Sequence, residues 1–257
     1  MDKERKKALR RRAGWYAIKI FTDLSGKLPL STVYIIGKLL GRLTYFLVLP
    51  QRRIALQGLA IAFPQKTPME RKVIARDFFI FMAQSSLELL HILKNEDELQ
   101  RVRIRGEEYL KDALSKKKGV VIFTAHFGNF PLMSLKLAKK GYKANIVARP
   151  MRDKKAGDHF HELREKAGVK TIFSYPRKEC VNGIIKALRN NEIVIIQMDQ
   201  NFGTGGVWIK FFNKLAATPV GPIIFALRTG ASTVPAYIYR TGEGRHSLEI
   251  MPGRELT

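Results

Sequence analysis

Residues 119–125 read Gly-Val-Val-Ile-Phe-Thr-Ala, and the reading of the whole chain turns on them. An uncharged run of apolar and β-branched residues, opened by a glycine, is the pattern of a strand covered on both faces. The same texture returns at residues 192–198 (EIVIIQM), with shorter runs at 144–148, 170–173 and 232–239. Between them, residues 154–167, 181–188 and 219–229 read as helices. Strands alternating with helices predict an α/β domain with a mainly parallel central sheet flanked by helices.

Upstream the texture differs. Residues 1–12 (MDKERKKALRRR) are densely cationic, and Trp15, Tyr16, Ile18, Ile20 and Phe21 follow them, a pairing that suits an interfacial anchor. Lys19, Asp23 and Lys27 interrupt the apolar run, so a cleaved signal is not expected. Residues 28–49 are apolar except for Lys38 and Arg42, which share a helix face and have stems able to snorkel. No stretch reaches the roughly 18 uncharged residues of a confident membrane span. Residues 1–50 are therefore expected to form an N-terminal helical membrane-associating segment, basic end on the cytoplasmic side, with an ordinary amphipathic core helix as the alternative. Residues 51–257 are expected to hold the α/β domain, preceded by a long packing helix over 69–93 with Pro68 in its first turn.

Lysine and arginine outnumber aspartate and glutamate 46 to 22, giving a formal charge of +24. Such a chain is drawn to polyanions, although charge alone does not choose among phosphate lipids, nucleic acid and acidic proteins. No nucleic-acid-binding motif accompanies it, so no nucleic-acid partner is expected. Cys180 is the only cysteine, which excludes an internal disulfide framework, and it reads as a small buried hydrophobe. His159 and His161 stand two apart in a helical stretch and face away from each other, so no zinc site is expected.

In a parallel sheet, ligands gather outside the carboxyl ends of the strands. Three loops there carry polar residues. The first is residues 126–131 (HFGNFP): His126 can serve as a general base, Gly128 lets backbone N–H groups approach an oxyanion, and Asn129 can cap the following helix. A lone loop histidine is also often structural. The second begins at Asp199-Gln200 and runs to Gly206; its glycines suit a phosphate cradle or a simple turn, and no Gly-Lys-Ser/Thr follows. The third is Arg149, with Arg152 nearby and Arg164 on the next helix, able to clamp phosphate or merely to be solvated.

Taken in order, LAIAFP (59–64), HFGNF (126–130), VARP (147–150), Arg164 with Gly168, MDQ (198–200), the run 206–231 and VPAY (234–237) make the chain similar to a known family. From about residue 56 to 254 it resembles the lipid A biosynthesis lauroyl/myristoyl acyltransferases, within the wider group sharing a His-x4-Asp/Glu motif. The resemblance implies acyl transfer, without cofactor or metal, from an acyl carrier protein thioester to a hydroxyl of a phosphorylated glycolipid. The setting it implies is the cytoplasmic face of the inner membrane, with anionic lipid, the membrane surface and carrier protein as partners. It gives His126 the role of general base, Asp199 that of the acid after a later strand, and Gly128, Asn129, Arg149, Arg164 and Gln200 that of substrate-binding residues.

Two departures stand out. The family's acid, five residues after the histidine, is Pro131 here. Proline is comfortable in a first helical turn but cannot orient an imidazole. Asp199 and Asp158 are the carboxylates to consider in its place; the alternative is a catalytically silent relative that binds lipid or carrier protein. The sequence also ends at Thr257, where the family continues into a helical segment rich in tryptophan, histidine and arginine, so that segment is expected to be absent.

Overall fold

The apolar sequence after residue 28 folds as two helices, α1 (Leu30–Leu47) and α2 (Leu49–Ala62), in the computed structural model, which describes residues 14–16, 18–201 and 203–255. Pro50 accounts for the break, because a proline clashes inside a helix yet is tolerated in the first turn of a new one. The two axes meet at 90°. A longer helix, α3 (Pro68–Ile92), begins with a reciprocal cap: Thr67 Oγ1 accepts the Glu70 N–H at 3.3 Å, and Glu70 Oε2 accepts the Thr67 N–H at 2.7 Å. The basic run at residues 1–12 lies outside the described residues.

Gly37 and Gly41 bring α1 and α3 together backbone to backbone. A Cβ at Gly37 would stand 2.8 Å from Gln84 Cα, and one at Gly41 only 2.4 Å from Ile80 Cα. Small residues four apart allow this close approach and the dispersion contacts that come with it. Across the seam the Tyr34 hydroxyl donates to Glu88 Oε1 at 2.6 Å, which satisfies a fully buried carboxylate. On its other side α1 exposes Ile35, Leu39, Leu43 and Phe46, a stripe at helical spacing. Among the described residues no single helix is long and apolar enough to cross a membrane, whereas the bent α1–α2 pair passes that test together. These helices belong to one compact unit, residues 20–94 with 210–215.

The remaining residues form a second unit around a sheet. Its strands are β1 (Val102–Arg105), β2 (Val120–Thr124), β3 (Ala144–Ala148), β4 (Lys170–Phe173), β5 (Ile193–Gln197), β8 (Ser232–Gly242) and β9 (Arg245–Ile250). A separate two-stranded hairpin joins β6 (Val207–Phe211) to β7 (Lys214–Thr218). The large sheet runs β1-β9-β8-β2-β5-β3-β4, and every neighbouring pair is parallel except β8–β9. The mainly parallel α/β sheet expected from the strand runs is therefore present. The helices are α4 (Glu107–Ser115), α5 (Pro131–Lys139), α6 (Lys154–Lys166), α7 (Arg177–Arg189) and α8 (Gly221–Thr229). Val121 and Val194 on β2 and β5 pack with Cys180, Ile184 and Leu188 of α7 and Ala226 of α8. Their alternate neighbours, Ile122 and Ile193, are just as buried and point to the other face. Burial pushes the Cys180 thiol pKa up, as suits a core residue.

The connections set the location of a crevice. From β2 the chain passes through α5 to β3, on one side; from β5 it passes through the hairpin and α8 to β8, on the other. Adjacent parallel strands whose crossovers leave in opposite directions open a cleft at their carboxyl ends.

Candidate functional site

The loops after β2 and β5 meet at the carboxyl ends of those strands. Thr124 and Gln197 are paired at the ends of the two strands, and the Met198 N–H extends the ladder by one rung to the Thr124 carbonyl at 3.0 Å. Two residues after Thr124 stands His126; two after Gln197 stands Asp199. Asp199 Oδ1 accepts from His126 Nδ1 at 2.9 Å, and Oδ2 accepts the His126 backbone N–H at 3.0 Å. One carboxylate thus fixes both the position of the residue and the plane of its ring.

With Nδ1–H donated to a carboxylate, the lone pair sits on Nε2. The Gln200 side-chain amide lies 3.4 Å from Nε2, a long contact that an incoming hydroxyl can displace. The ring packs edge-on against Phe130, centroids 4.8 Å apart, and the imidazole is 36% exposed. Phe130, the second aromatic of HFGNF, was not among the expected site residues, although its place in that motif marked it. The arrangement can take a proton from an alcohol at Nε2 while Asp199 stabilises the imidazolium.

Gly128 turns the loop with φ +64°, and a Cβ there would lie 1.9 Å from the Ile238 carbonyl oxygen, so only glycine fits. The N-cap position of the following helix falls one residue after Asn129. Helix α5 starts at Pro131 with Phe130 as its N-cap, and the Asn129 backbone carbonyl accepts the Leu132 N–H at 3.0 Å. The Asn129 side chain is 2% exposed. Pro131 occupies the first position of α5, where its missing N–H costs nothing.

The arginines divide. Arg149 follows β3, and continuing the β3–β5 register puts it level with Met198, one strand from the Asp199 loop and exposed to solvent. Arg164 is elsewhere: its Nε donates to Thr171 Oγ1 at 3.1 Å, and burial pushes its pKa down. Thr171 is level with Ile146, Ile195 and Ile122, so Arg164 sits three strands across and four residues short of His126. Asp158, the other carboxylate considered, is engaged by Lys154 at 2.8 Å on α6. The two helix histidines face different neighbours, His159 the Trp15 ring and His161 the Phe173 ring, each at 5.4 Å.

Against known families, the model for bacterial lipid A biosynthesis acyltransferases matches residues 2–257. The chain belongs to this family. Among curated relatives of these acyltransferases, a phosphatidylinositol mannoside acyltransferase of Mycobacterium tuberculosis is 27% identical over 161 residues, covering 62% of this chain and 50% of that protein. The lipid A biosynthesis lauroyltransferase of Escherichia coli is 24% identical over 235 residues, 88% of this chain and 74% of the relative. The palmitoleoyltransferase of the same organism is 24% identical over 250 residues, with coverages of 94% and 78%. The chain spans about half the length of the mycobacterial relatives that it matches.

Proposed function

We propose that this protein transfers a fatty acyl group from an acyl carrier protein thioester to a hydroxyl of a phosphorylated glycolipid, at the cytoplasmic face of the inner membrane. The observation that carries the reading is the 2.9 Å bond between His126 Nδ1 and Asp199 Oδ1, which supplies from β5 the carboxylate that Pro131 cannot. Family membership and the names of the relatives, a phosphatidylinositol mannoside acyltransferase and a lipid A biosynthesis lauroyltransferase, support the reaction class.

In this reading the acceptor hydroxyl displaces the Gln200 amide and gives its proton to His126 Nε2 as its oxygen attacks the thioester carbonyl carbon. Asp199 stabilises the imidazolium. Collapse of the tetrahedral oxyanion breaks the C–S bond, and the departing thiolate takes the proton back from the imidazolium, leaving an ester and a free carrier thiol. The proton balance closes on one imidazole, with no cofactor in the step. In the same reading Arg149, exposed one strand away, meets the acceptor phosphate. The net charge of +24 suits both anionic headgroups and an acidic carrier.

Purified protein incubated with labelled acyl carrier protein and a lipid A precursor is expected to yield acylated product, and His126→Ala to abolish it. Absence of transfer by the wild type across several acyl chain lengths would overturn the reading in favour of a silent binding role. Membrane flotation after a high-salt wash tests the location; protein wholly in the soluble fraction would count against it.

A further inference from the structure

All five residues of β6 are exposed, although four of them are large and apolar. Trp208 is 59% exposed, and at the tip of the hairpin Phe211 and Leu215 are 62% and 65% exposed. A surface strand gains no stability from apolar side chains that it leaves in water, so residues of this kind imply a covering surface other than the described residues. The turn adds a second sign. Phe212 and Asn213 occupy left-handed conformations, φ 47° and 59°, at the tip between β6 and β7. Glycine, asparagine and aspartate fit such positions, whereas a bulky aromatic is strained there. An aromatic kept against its backbone preference points to work done by the ring. Phe212 leans on Phe63, centroids 6.2 Å apart, just past the end of α2.

Charge indicates what the covering surface is. Lys210 and Lys214 bracket the aromatic pair, and no acidic residue occurs from 200 to 242. The tip, residues 210–215, belongs to the same compact unit as α1 and α2, whose sequence is likewise free of acid from 24 to 69 and exposes Ile35, Leu39 and Ile54. We infer that the hairpin is a membrane wedge: Trp208, Phe211, Phe212 and Leu215 enter the boundary between headgroups and acyl chains of an anionic phospholipid surface, while Lys210 and Lys214 engage the headgroups. Large apolar side chains interleaved with lysines and no acid is the chemistry of interfacial insertion. An acidic protein partner accounts for the lysines and leaves the strained, exposed aromatic tip without a reason. The inference rests on the membrane-surface part of the reading above and on no step of the chemistry.

The test uses the full chain and vesicles of phosphatidylcholine with and without phosphatidylglycerol. Wild type is expected to float with the anionic vesicles, and the double change Phe211→Ser with Phe212→Ser to weaken that binding by roughly tenfold to a hundredfold, the scale for returning two rings to water. Lys210→Glu with Lys214→Glu is expected to weaken the preference for phosphatidylglycerol without abolishing it, because the rest of the chain stays strongly cationic. Trp15→Phe leaves Trp208 as the one tryptophan, whose emission is expected to be quenched by lipids brominated along the acyl chain, a readout that needs no tip variant to fold. Equal vesicle binding by wild type and the double variant overturns the inference, as does an unquenched Trp208. Loss of carrier-protein binding in the double variant with vesicle binding intact also overturns it, and assigns the tip to the carrier. Acyl transfer assayed in detergent micelles in parallel keeps the two readings apart: vesicle insertion without transfer upholds the wedge and overturns the catalysis.

Discussion

Asp199 grips His126 at two points, its Oδ1 on the ring and its Oδ2 on the backbone N–H of the same residue. Orientation of the imidazole and placement of its loop therefore depend on one side chain that lies 73 residues away in sequence.

Asp199→Asn is expected to lower kcat by roughly 10³- to 10⁴-fold, the scale seen when the orienting carboxylate of a comparable triad is disabled. KM is expected to change little, because the lost interaction matters most when the ring is charged. Steady-state kinetics on labelled acyl carrier protein check this; an equal fall in affinity and no fall in kcat would assign Asp199 to binding.

Restoring the family acid by Pro131→Glu is expected to give no gain in kcat. His126 Nδ1 carries a single hydrogen, and Asp199 already accepts it. A large gain in the single variant would mean that Asp199 does not serve the working enzyme.

Gly128→Ala is expected to destabilise the protein by about 3 kcal/mol or more, combining a left-handed backbone with a clash on a fixed carbonyl. Chemical denaturation measures it. In the helical unit, Gly41→Val forces α1 from α3 and is expected to cost about 2 kcal/mol or more, while Lys38→Ala on the exposed side of the same helix stays within about 0.5 kcal/mol.

Tyr142 gives a pH signature. Burial, with the hydrogen bond to Glu107 Oε1 at 2.9 Å and the charge of that carboxylate, pushes its pKa up to about 12. The unfolded phenol ionises near about 10, so between these values the folded state holds more protons than the unfolded one. The stabilisation is full below pH ~10 and is lost as pH rises through the folded value. Urea unfolding across that window should show a steeper alkaline loss for wild type than for Tyr142→Phe; identical slopes would remove the assignment.

The strands that bury both faces were legible in sequence because β-branched runs between turn residues admit few other readings. Strand β9 was not, since its buried positions include His246 and Ser247, which disguise it as a polar connection. The hairpin failed to register for the opposite reason, an apolar run that buries nothing. At the site, His126 and Asp199 were both visible as loop residues, yet the choice between Asp199 and Asp158 was not, because it depends on β2 pairing with β5. Arg164 matched its expected position in the chain order, but its guanidinium is turned to Thr171 on β4, which no spacing along the chain reveals.

The Asp199 carboxylate reaches the His126 ring across a rung of the sheet, not along the loop that bears the imidazole. A proline at the fifth position of that loop therefore leaves the ring against a carboxylate all the same, because the two strands lie side by side. What holds the pair together is a neighbourhood set by main-chain pairing, which the linear order of the loop does not display.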